Sequence, residues 1–292
     1  MTKNITNYTY TTYVTTWDSD PLFQVQDMVN KSIIKTGTII VLAFASFNFT
    51  DSSYIPGFGN ISLEETMGII SLVHTYGGKI NLSIGGATYP FFGSDLYSRP
   101  GDLANNINGI LLKCGFDGVD FDIEDFYQNV PSDFSITAAS LINTLKGLNP
   151  NLYISLTTAG QAWTSGCYQQ SLLNLTIGNL NAWQPMEYDL WIASGSTYYI
   201  QIEQDIIYYL STWSVPANKI ILGLMPGNDD EFHNLSLYDA LNLTKFSIEK
   251  GLQGVMTWDA NIDSTGVDGN VPYAYSLGIQ NCLYKFKRRS KL

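Results

Sequence analysis

Three acidic side chains at every second position, Asp120, Asp122 and Glu124, are the strongest chemical signal in this chain. They fall in the stretch Asp117-Gly118-Val119-Asp120-Phe121-Asp122-Ile123-Glu124. In an extended strand, side chains alternate between two faces. Gly118, Asp120, Asp122 and Glu124 then share one face, and Asp117, Val119, Phe121 and Ile123 share the other. Burying carboxylates without compensation costs several kcal/mol each, which for two or three of them rivals the stability of a whole domain. The alternative, an acid-rich edge strand in an acidic protein, fits poorly, because Asp and Glu are rarely fully buried without a partner. Carboxylates this close cannot all ionise cheaply, so protons are shared and at least one pKa rises. A carboxyl that keeps its proton near neutral pH is what a general acid requires. Asp117, on the opposite face, is expected to be structural.

The bulk composition narrows the partners. The 292 residues carry a net charge of −11, with 45% hydrophobic and 14% charged residues. That is ample material for one large core. Five of the fifteen basic residues (Lys285, Lys287, Arg288, Arg289 and Lys291) lie in the last eight positions, so the body is more acidic still. No nucleic-acid partner is expected, and a neutral or cationic ligand suits this surface better than an anionic one. The three cysteines, Cys114, Cys167 and Cys282, are far apart and include no CxxC pair. They support neither a disulfide framework nor a thiolate metal site. Two isolated histidines, His74 and His233, argue against a histidine metal site or a Ser-His-Asp triad. No cofactor and no metal are implied, and a monomer is expected. The longest apolar runs, such as Ile39 to Ala45, are far too short to span a membrane.

Strand-like and helix-like segments alternate along the chain. Strands are predicted at Tyr8–Trp17, Thr38–Phe47, Lys79–Ile84, the acidic stretch, Leu152–Ala159, within Trp183–Trp191, Lys219–Met225 and Leu252–Trp258. Helices are predicted at Pro21–Lys35, from Ser62 to the Gly77-Gly78 pair, over Leu103–Cys114, and from Phe134 to a stop at Pro150. Further helices are predicted at Gln169–Leu180, Tyr199–Leu210, Leu235–Lys250 and Tyr273–Phe286. Ser62 with Glu65 three residues later forms a capping box. A Gly/Pro/Ser-rich loop, Asp51 to Asn60, precedes it. Eight such pairs at this length predict an α/β protein of the (β/α)8 barrel type, a single domain over residues 1–284 with a basic tail at 285–292. The absence of G-x-G-x-x-G after the first strand weakens the rival, an open doubly wound sheet. Between strands seven and eight, Pro226 to Lys250 leaves no room for an inserted domain.

In such barrels the reacting groups lie at the C-terminal ends of the strands. Glu124 ends the fourth strand, Ser83-Ile84-Gly85-Gly86 the third, and Trp258-Asp259 the eighth, while Met186-Glu187-Tyr188-Asp189 is assigned to the sixth. The glycine pair permits close backbone approach. Together these ends describe a polar pocket with an aromatic floor, suited to a sugar ring.

These residues resemble glycoside hydrolase family 18, the chitinases and their relatives. Asp117 to Glu124 matches the family signature D-G-x-D-x-D-x-E at every fixed position. Ser83 to Gly86 matches its S-x-G-G strand, Met186 to Asp189 looks like its M-x-Y-D/N element, and Trp258 stands where the family has its strand-eight tryptophan. The resemblance implies retaining hydrolysis of β-1,4-linked N-acetylglucosamine, with the substrate supplying the nucleophile. By resemblance Glu124 is the acid and base, and Asp122 holds the acetamido N–H. Tyr188 aligns the acetamido carbonyl, and Asp120 shares a proton or hydrogen bond with Asp122. Asp189 supports the acetamido site, and Trp258 floors the subsite. Met186, Gly85 and Gly86 complete the expected substrate-binding set. The expected partner is chitin or an N-acetylglucosamine oligosaccharide. The lack of an inserted domain suggests an open groove and internal cleavage.

Two other functions compete: an endo-β-N-acetylglucosaminidase acting on N-glycans, which uses the same signature strand, and a chitinase-like lectin that binds without cleaving, a class that usually lacks the terminal acid. Glu124 argues against the lectin, and Met186 with Tyr188 favours chitin over N-glycan. The N-terminus, Met1-Thr2-Lys3-Asn4, lacks an apolar signal segment, and the chain ends in Ser290-Lys291-Leu292, which matches a peroxisomal import signal. A cytoplasmic or peroxisomal location is therefore expected rather than classical secretion. Asn4-Ile5-Thr6, Asn48-Phe49-Thr50 and Asn174-Leu175-Thr176 read as glycosylation sequons. Asn81-Leu82-Ser83 also matches, but it falls in a predicted strand where glycosylation is implausible.

Overall fold

Alternating β-branched and aromatic residues build eight parallel strands whose ladder closes on itself. The strands are β1 (Thr9–Thr15), β2 (Thr38–Phe47), β3 (Lys79–Gly85), β4 (Gly118–Ile123), β5 (Tyr153–Ala159), β6 (Ala182–Met186), β7 (Ile221–Leu224) and β8 (Gly254–Thr257). Each pairs with its neighbours in chain order, and β1 pairs with both β2 and β8, so no barrel edge remains open. This computed structural model describes residues 8–17, 20–47, 56–57, 60–88, 99–124, 132–160, 168–192 and 196–289. Several expectations lie outside those residues: the sequons at Asn4 and Asn48, most of the loop from Asp51, Cys167, and the Ser290-Lys291-Leu292 terminus.

Helices cover the outside of the barrel: α1 (Pro21–Asn30), α2 (Leu63–Thr75), α3 (Pro100–Cys114), α4 (Phe134–Leu148), α5 (Tyr168–Thr176), α6 (Tyr198–Ser211), α7 (Leu237–Glu249), α8 (Ala260–Ser264) and α9 (Ala274–Arg289). Their starts follow local chemistry. The Asp20 side chain accepts from the backbone N–H groups of Leu22 and Phe23, with Pro21 at the first helical position. The capping box forms in both directions: Glu65 N–H donates to Ser62 Oγ (3.1 Å) and Ser62 N–H to Glu65 Oε2 (2.8 Å). No helix among the described residues is long and apolar enough to cross a membrane. The basic stretch from Lys285 begins inside α9 rather than after it.

Apolar packing forms two layers. The outer one lies between strands and helices and includes Val119, Phe121 and Ile123 of β4. The inner one fills the barrel and includes Tyr13, Val41, Ala182, Met186, Ile221 and Met256. The interior is polar where β3 to β6 face inward, through Ser83, Asp120, Ser155, Thr157 and Gln184, all buried. Asn81 is also buried there, so its sequon is structural sequence only. Asp117 lies outside, as its position in the alternation implied. Its Oδ2 accepts from Ile80 N–H (2.9 Å) and sits 2.8 Å from His74 Nε2, joining β3, α2 and the start of β4.

Two boundaries differ most from expectation. Helix α1 ends at Asn30, five residues short, because Ser32 takes a positive φ of 60°. Strand β6 ends at Met186, so Glu187, Tyr188 and Asp189 lie in the connection beyond it. Asp189 has a φ of 54°, which no regular strand accommodates.

Closure of the barrel depends on residues far apart in sequence. The Tyr10 hydroxyl is 2.8 Å from both Thr257 Oγ1 and Ser276 Oγ, joining β1, β8 and α9. Asp263 caps α9 by accepting from Ser276 N–H (2.8 Å) and Tyr275 N–H (3.1 Å). Replacing Tyr10 by Phe should lower the unfolding free energy by about 1 kcal/mol, the net worth of one buried hydrogen bond. The loss stays small because Thr257 keeps Thr12 and Ser276 keeps Asp263 as partners. Urea denaturation reads the change; an unaltered midpoint would show that the hydroxyl does not support closure.

Candidate active site

Asp120 is the centre of the polar interior. Its Oδ2 accepts from Tyr13 Oη (2.7 Å) and Ser83 Oγ (2.8 Å). Its Oδ1 accepts from Ser155 Oγ (2.7 Å), Thr157 Oγ1 (3.0 Å) and Gln184 Nε2 (3.2 Å). Donors from β1, β3, β5 and β6 thus converge on a carboxylate of β4, which offsets the cost of burying it. Tyr13 and Gln184 were not anticipated. The run Thr9, Thr11, Tyr13, Thr15 on one face of β1 was the available signal.

One step along the strand, Asp122 is buried, and its Oδ1 has no hydrogen-bond partner among the described residues. Burial holds its carboxyl well above the usual carboxylate range, with the charges of Glu124 and Asp120 adding to the effect. Asp120 therefore acts on Asp122 through its charge. Glu124 sits just past the strand end and is partly exposed. Tyr188 is buried, and burial followed by the Asp122 and Glu124 charges pushes its hydroxyl pKa up, so it stays a neutral donor. The arrangement offers a buried carboxyl with an open oxygen, a carboxyl at the rim and a hydroxyl within the field of both. These are the parts of general acid–base chemistry.

Gly85 and Gly86 fix the β3 end against this group. Gly85 has a φ of 116°, and a Cβ there would lie 1.9 Å from the Asp122 carbonyl oxygen. Gly86 has a φ of 88°, donates its N–H to that carbonyl (2.9 Å), and would place a Cβ 2.5 Å from the Phe44 ring. The close approach is thus made by the Asp122 backbone and by Phe44.

Trp258 is part of an aromatic wall. Its ring stacks on Phe44 at 5.7 Å, Phe44 stacks on Trp17 at 5.7 Å, and Tyr13 meets Trp258 edge-on at 5.2 Å. In the sequence Phe44 looks like ordinary core within an apolar strand and Trp17 like a strand terminus, so neither carries a mark of this wall. Trp17 remains exposed on one side. Asp259, next to Trp258, accepts from Ile262 N–H (2.8 Å) and starts α8. Met186 is buried in the barrel-filling cluster beside Tyr188. Asp189 turns toward the connection after β7, where its Oδ1 accepts from Asp230 N–H (2.7 Å).

A second acid pair lies behind Tyr188. Glu187 and Asp205 of α6 are fully buried. Glu187 Oε1 accepts from Tyr209 Oη at 3.0 Å, and Gln201 Nε2 donates to Asp205 Oδ1 at 3.0 Å. Burial, then the Asp205 charge, holds the Glu187 carboxyl well above its usual range, and a hydrogen bond to Asp205 joins the two. A proton kept by Glu187 gives it a donor toward Asp205.

The sequence profile of Glycosyl hydrolases family 18 matches residues 9–229, covering β1 through the connection after β7. The chain belongs to this family. Its fold is shared by solved structures of low identity. The catalytic domain of a hyperthermophilic chitinase from Pyrococcus furiosus is 20% identical, with 96% of each chain covered and a TM-score of 0.73. Catalytic domain 2 of the Ostrinia furnacalis Group II chitinase is 14% identical, with 95% of this chain and 97% of that one covered and a TM-score of 0.75. Human YKL-39, described as a pseudo-chitinase with retained chitooligosaccharide binding properties, is 14% identical, with 95% and 100% covered and a TM-score of 0.72. No curated protein matches significantly. As a family 18 barrel the chain carries no insertion domain after β7. A short hairpin, Gly227–Asn228 paired with Asn234–Leu235, precedes α7.

The Glu187 proton gives a stability test. In the unfolded chain Glu187 titrates near its ordinary value, about 4.3. Below that pH both states hold the proton. As pH rises the unfolded state releases it first, so stability falls until the folded pKa is passed. Glu187→Gln supplies a permanent donor toward Asp205. The variant should gain melting temperature over wild type as pH goes from 4 to 8; parallel curves would remove the proton kept by Glu187.

Proposed function

We propose that this family 18 barrel is a chitinase that cleaves β-1,4-linked N-acetylglucosamine with retention, using the substrate's own acetamido group as nucleophile. The observation that carries this reading is the Asp122–Glu124 pair: a buried carboxyl with an open Oδ1 beside a partly exposed acid at the strand end. Glu124 donates its proton to the glycosidic oxygen as the bond from the anomeric carbon breaks. The acetamido oxygen attacks that carbon, forming an oxazolinium ion. Asp122 accepts a hydrogen bond from the acetamido N–H through its open Oδ1. The Tyr188 hydroxyl donates to the acetamido oxygen and keeps it in line. Water then attacks the anomeric carbon, the bond to the acetamido oxygen breaks and restores the acetamide, and Glu124 takes the water's proton, so configuration is retained over two inversions.

Asp120 holds Asp122 in register and adds negative charge behind it. Trp258, with Phe44 and Trp17 in line, offers apolar faces for sugar rings. Met186 packs behind Tyr188, and Asp189 supports the same loop. Gly85 and Gly86 keep the β3 end clear of the site. The ligand is chitin or a chito-oligosaccharide, and the lack of an insertion domain favours internal cleavage. A monomer suffices for this chemistry. The acidic surface disfavours nucleic acid.

The similarity to YKL-39 favours one second reading, a chitooligosaccharide-binding protein without turnover. Glu124 speaks against it. Glu124→Gln should lower turnover of chito-oligosaccharides by about 10²–10⁴-fold, the usual worth of a general acid, while retaining binding. Near-wild-type turnover in that variant would remove Glu124 from the role. Asp122→Asn should also lose most activity. A product profile on oligomers of defined length tests substrate class and internal cleavage together. Release of glycans from a high-mannose glycoprotein, with none from chito-oligosaccharides, would favour an endo-β-N-acetylglucosaminidase instead.

A further inference from the structure

Tyr188 lies outside the β6 ladder, yet both peptide units that flank it are held. On one side the Glu187 carbonyl accepts from Tyr198 Oη (3.1 Å); the unit before it is fixed by Glu187 N–H, which donates to the Gly223 carbonyl (3.1 Å). On the other side Asp189 N–H donates to Asp229 Oδ2 (2.8 Å). These two peptide planes set the backbone angles of Tyr188, and hence the direction of its side chain.

The holders are themselves joined. Asp229 Oδ2 lies 3.2 Å from His233 Nδ1, and the His233 ring stacks on the Tyr198 ring at 5.1 Å. Asp229 Oδ1 accepts from His233 N–H (2.8 Å) and Glu231 N–H (3.1 Å), which shapes the hairpin turn. Asp230 N–H returns a bond to Asp189 Oδ1 (2.7 Å), making the link reciprocal. Asp229 is 4% exposed, so its carboxylate acts almost wholly on these partners. The arrangement also maintains the left-handed φ of 54° at Asp189, a backbone conformation that residues other than glycine seldom adopt.

We infer that Asp229 is a positioning residue for the reaction: through the Asp189 N–H and the His233–Tyr198 stack it holds Tyr188 where its hydroxyl meets the acetamido oxygen. This rests on the proposed chitinase function. Tyr188 matters most once the acetamido oxygen moves toward the anomeric carbon. Loss of the clamp therefore lowers turnover more than ground-state binding. A displacement of about 1 Å in a positioned group costs on the order of 100-fold.

The test compares wild type, Asp229→Ala and Asp229→Asn on chitotetraose. The alanine variant should lose about 10- to 100-fold in kcat with KM within about threefold. The asparagine variant, which keeps one acceptor oxygen, should fall between alanine and wild type. In the Glu124→Gln background, Asp229→Ala should bind chitotetraose within about threefold of Glu124→Gln alone, measured by calorimetry. Hydrogen exchange over residues 186–190 reads the clamp without turnover, and the alanine variant should lose protection of the Asp189 amide. Unchanged kcat, a parallel loss of binding and turnover, or unchanged Asp189 protection would each overturn the assignment. An inactive wild type would instead refute the chitinase reading, leaving the exchange measurement to decide whether the clamp exists.

Discussion

A buried carboxylate cannot stand in a barrel interior unless donors are brought to it, and Asp120 brings them from four strands. Tyr13, Ser83, Ser155, Thr157 and Gln184 all point inward to reach it. Each is a polar side chain in a position that an apolar residue fills in ordinary barrels. The demand runs both ways. Asp120 is tolerable because the strands stand in this register, and their polar inward faces are tolerable because Asp120 accepts their hydrogen bonds. Removing the acid would orphan several donors at once, so the cost belongs to the network rather than to one bond.

The hub also divides labour among the three acids of β4. Asp120 has its oxygens filled and contributes charge. Asp122 is buried next to that charge and to Glu124, and so tends to keep a proton. Glu124 alone reaches the rim. Tyr188 completes the group from a segment with little ladder of its own, because β6 pairs with β7 by only one residue pair within the named strands, Met186 with Gly223. Pro185 lacks an N–H and contributes no donor there. What the ladder does not hold, side chains hold from outside: Glu187 with Asp205 and Tyr209 toward α6, and Asp229 toward the hairpin.

Much of this was legible in the chain. Alternation located the acidic strand and its inward face, and assigned Asp117 to the outside. Capping signals such as Ser62 and Glu65 marked helix starts, and strand ends gathered Glu124, Gly85, Gly86, Tyr188 and Trp258 at one mouth. The donors to Asp120 were not legible, because a Tyr in β1 and a Gln beside a Pro in β6 carry no mark of a partner more than sixty residues away. Phe44 was hidden because an aromatic residue within an apolar strand looks like core. The end of β6 was overrun because nothing in the letters Tyr-Asp announces a left-handed backbone; it follows from Asp229 and Asp230, forty residues later.

The Tyr10 bridge bears on synthesis at the ribosome. The first strand's partners Thr257 and Ser276 emerge 247 and 266 residues after Tyr10. Until then β1 has only β2 beside it, and the free sides of β1 and the growing sheet are exposed backbone edges. At ordinary rates of about 5–20 residues per second, the chain spends on the order of ten seconds or more in that unclosed condition. The barrel is therefore a structure that its own C-terminal segment must seal, and the interval before sealing is when a chaperone would matter most.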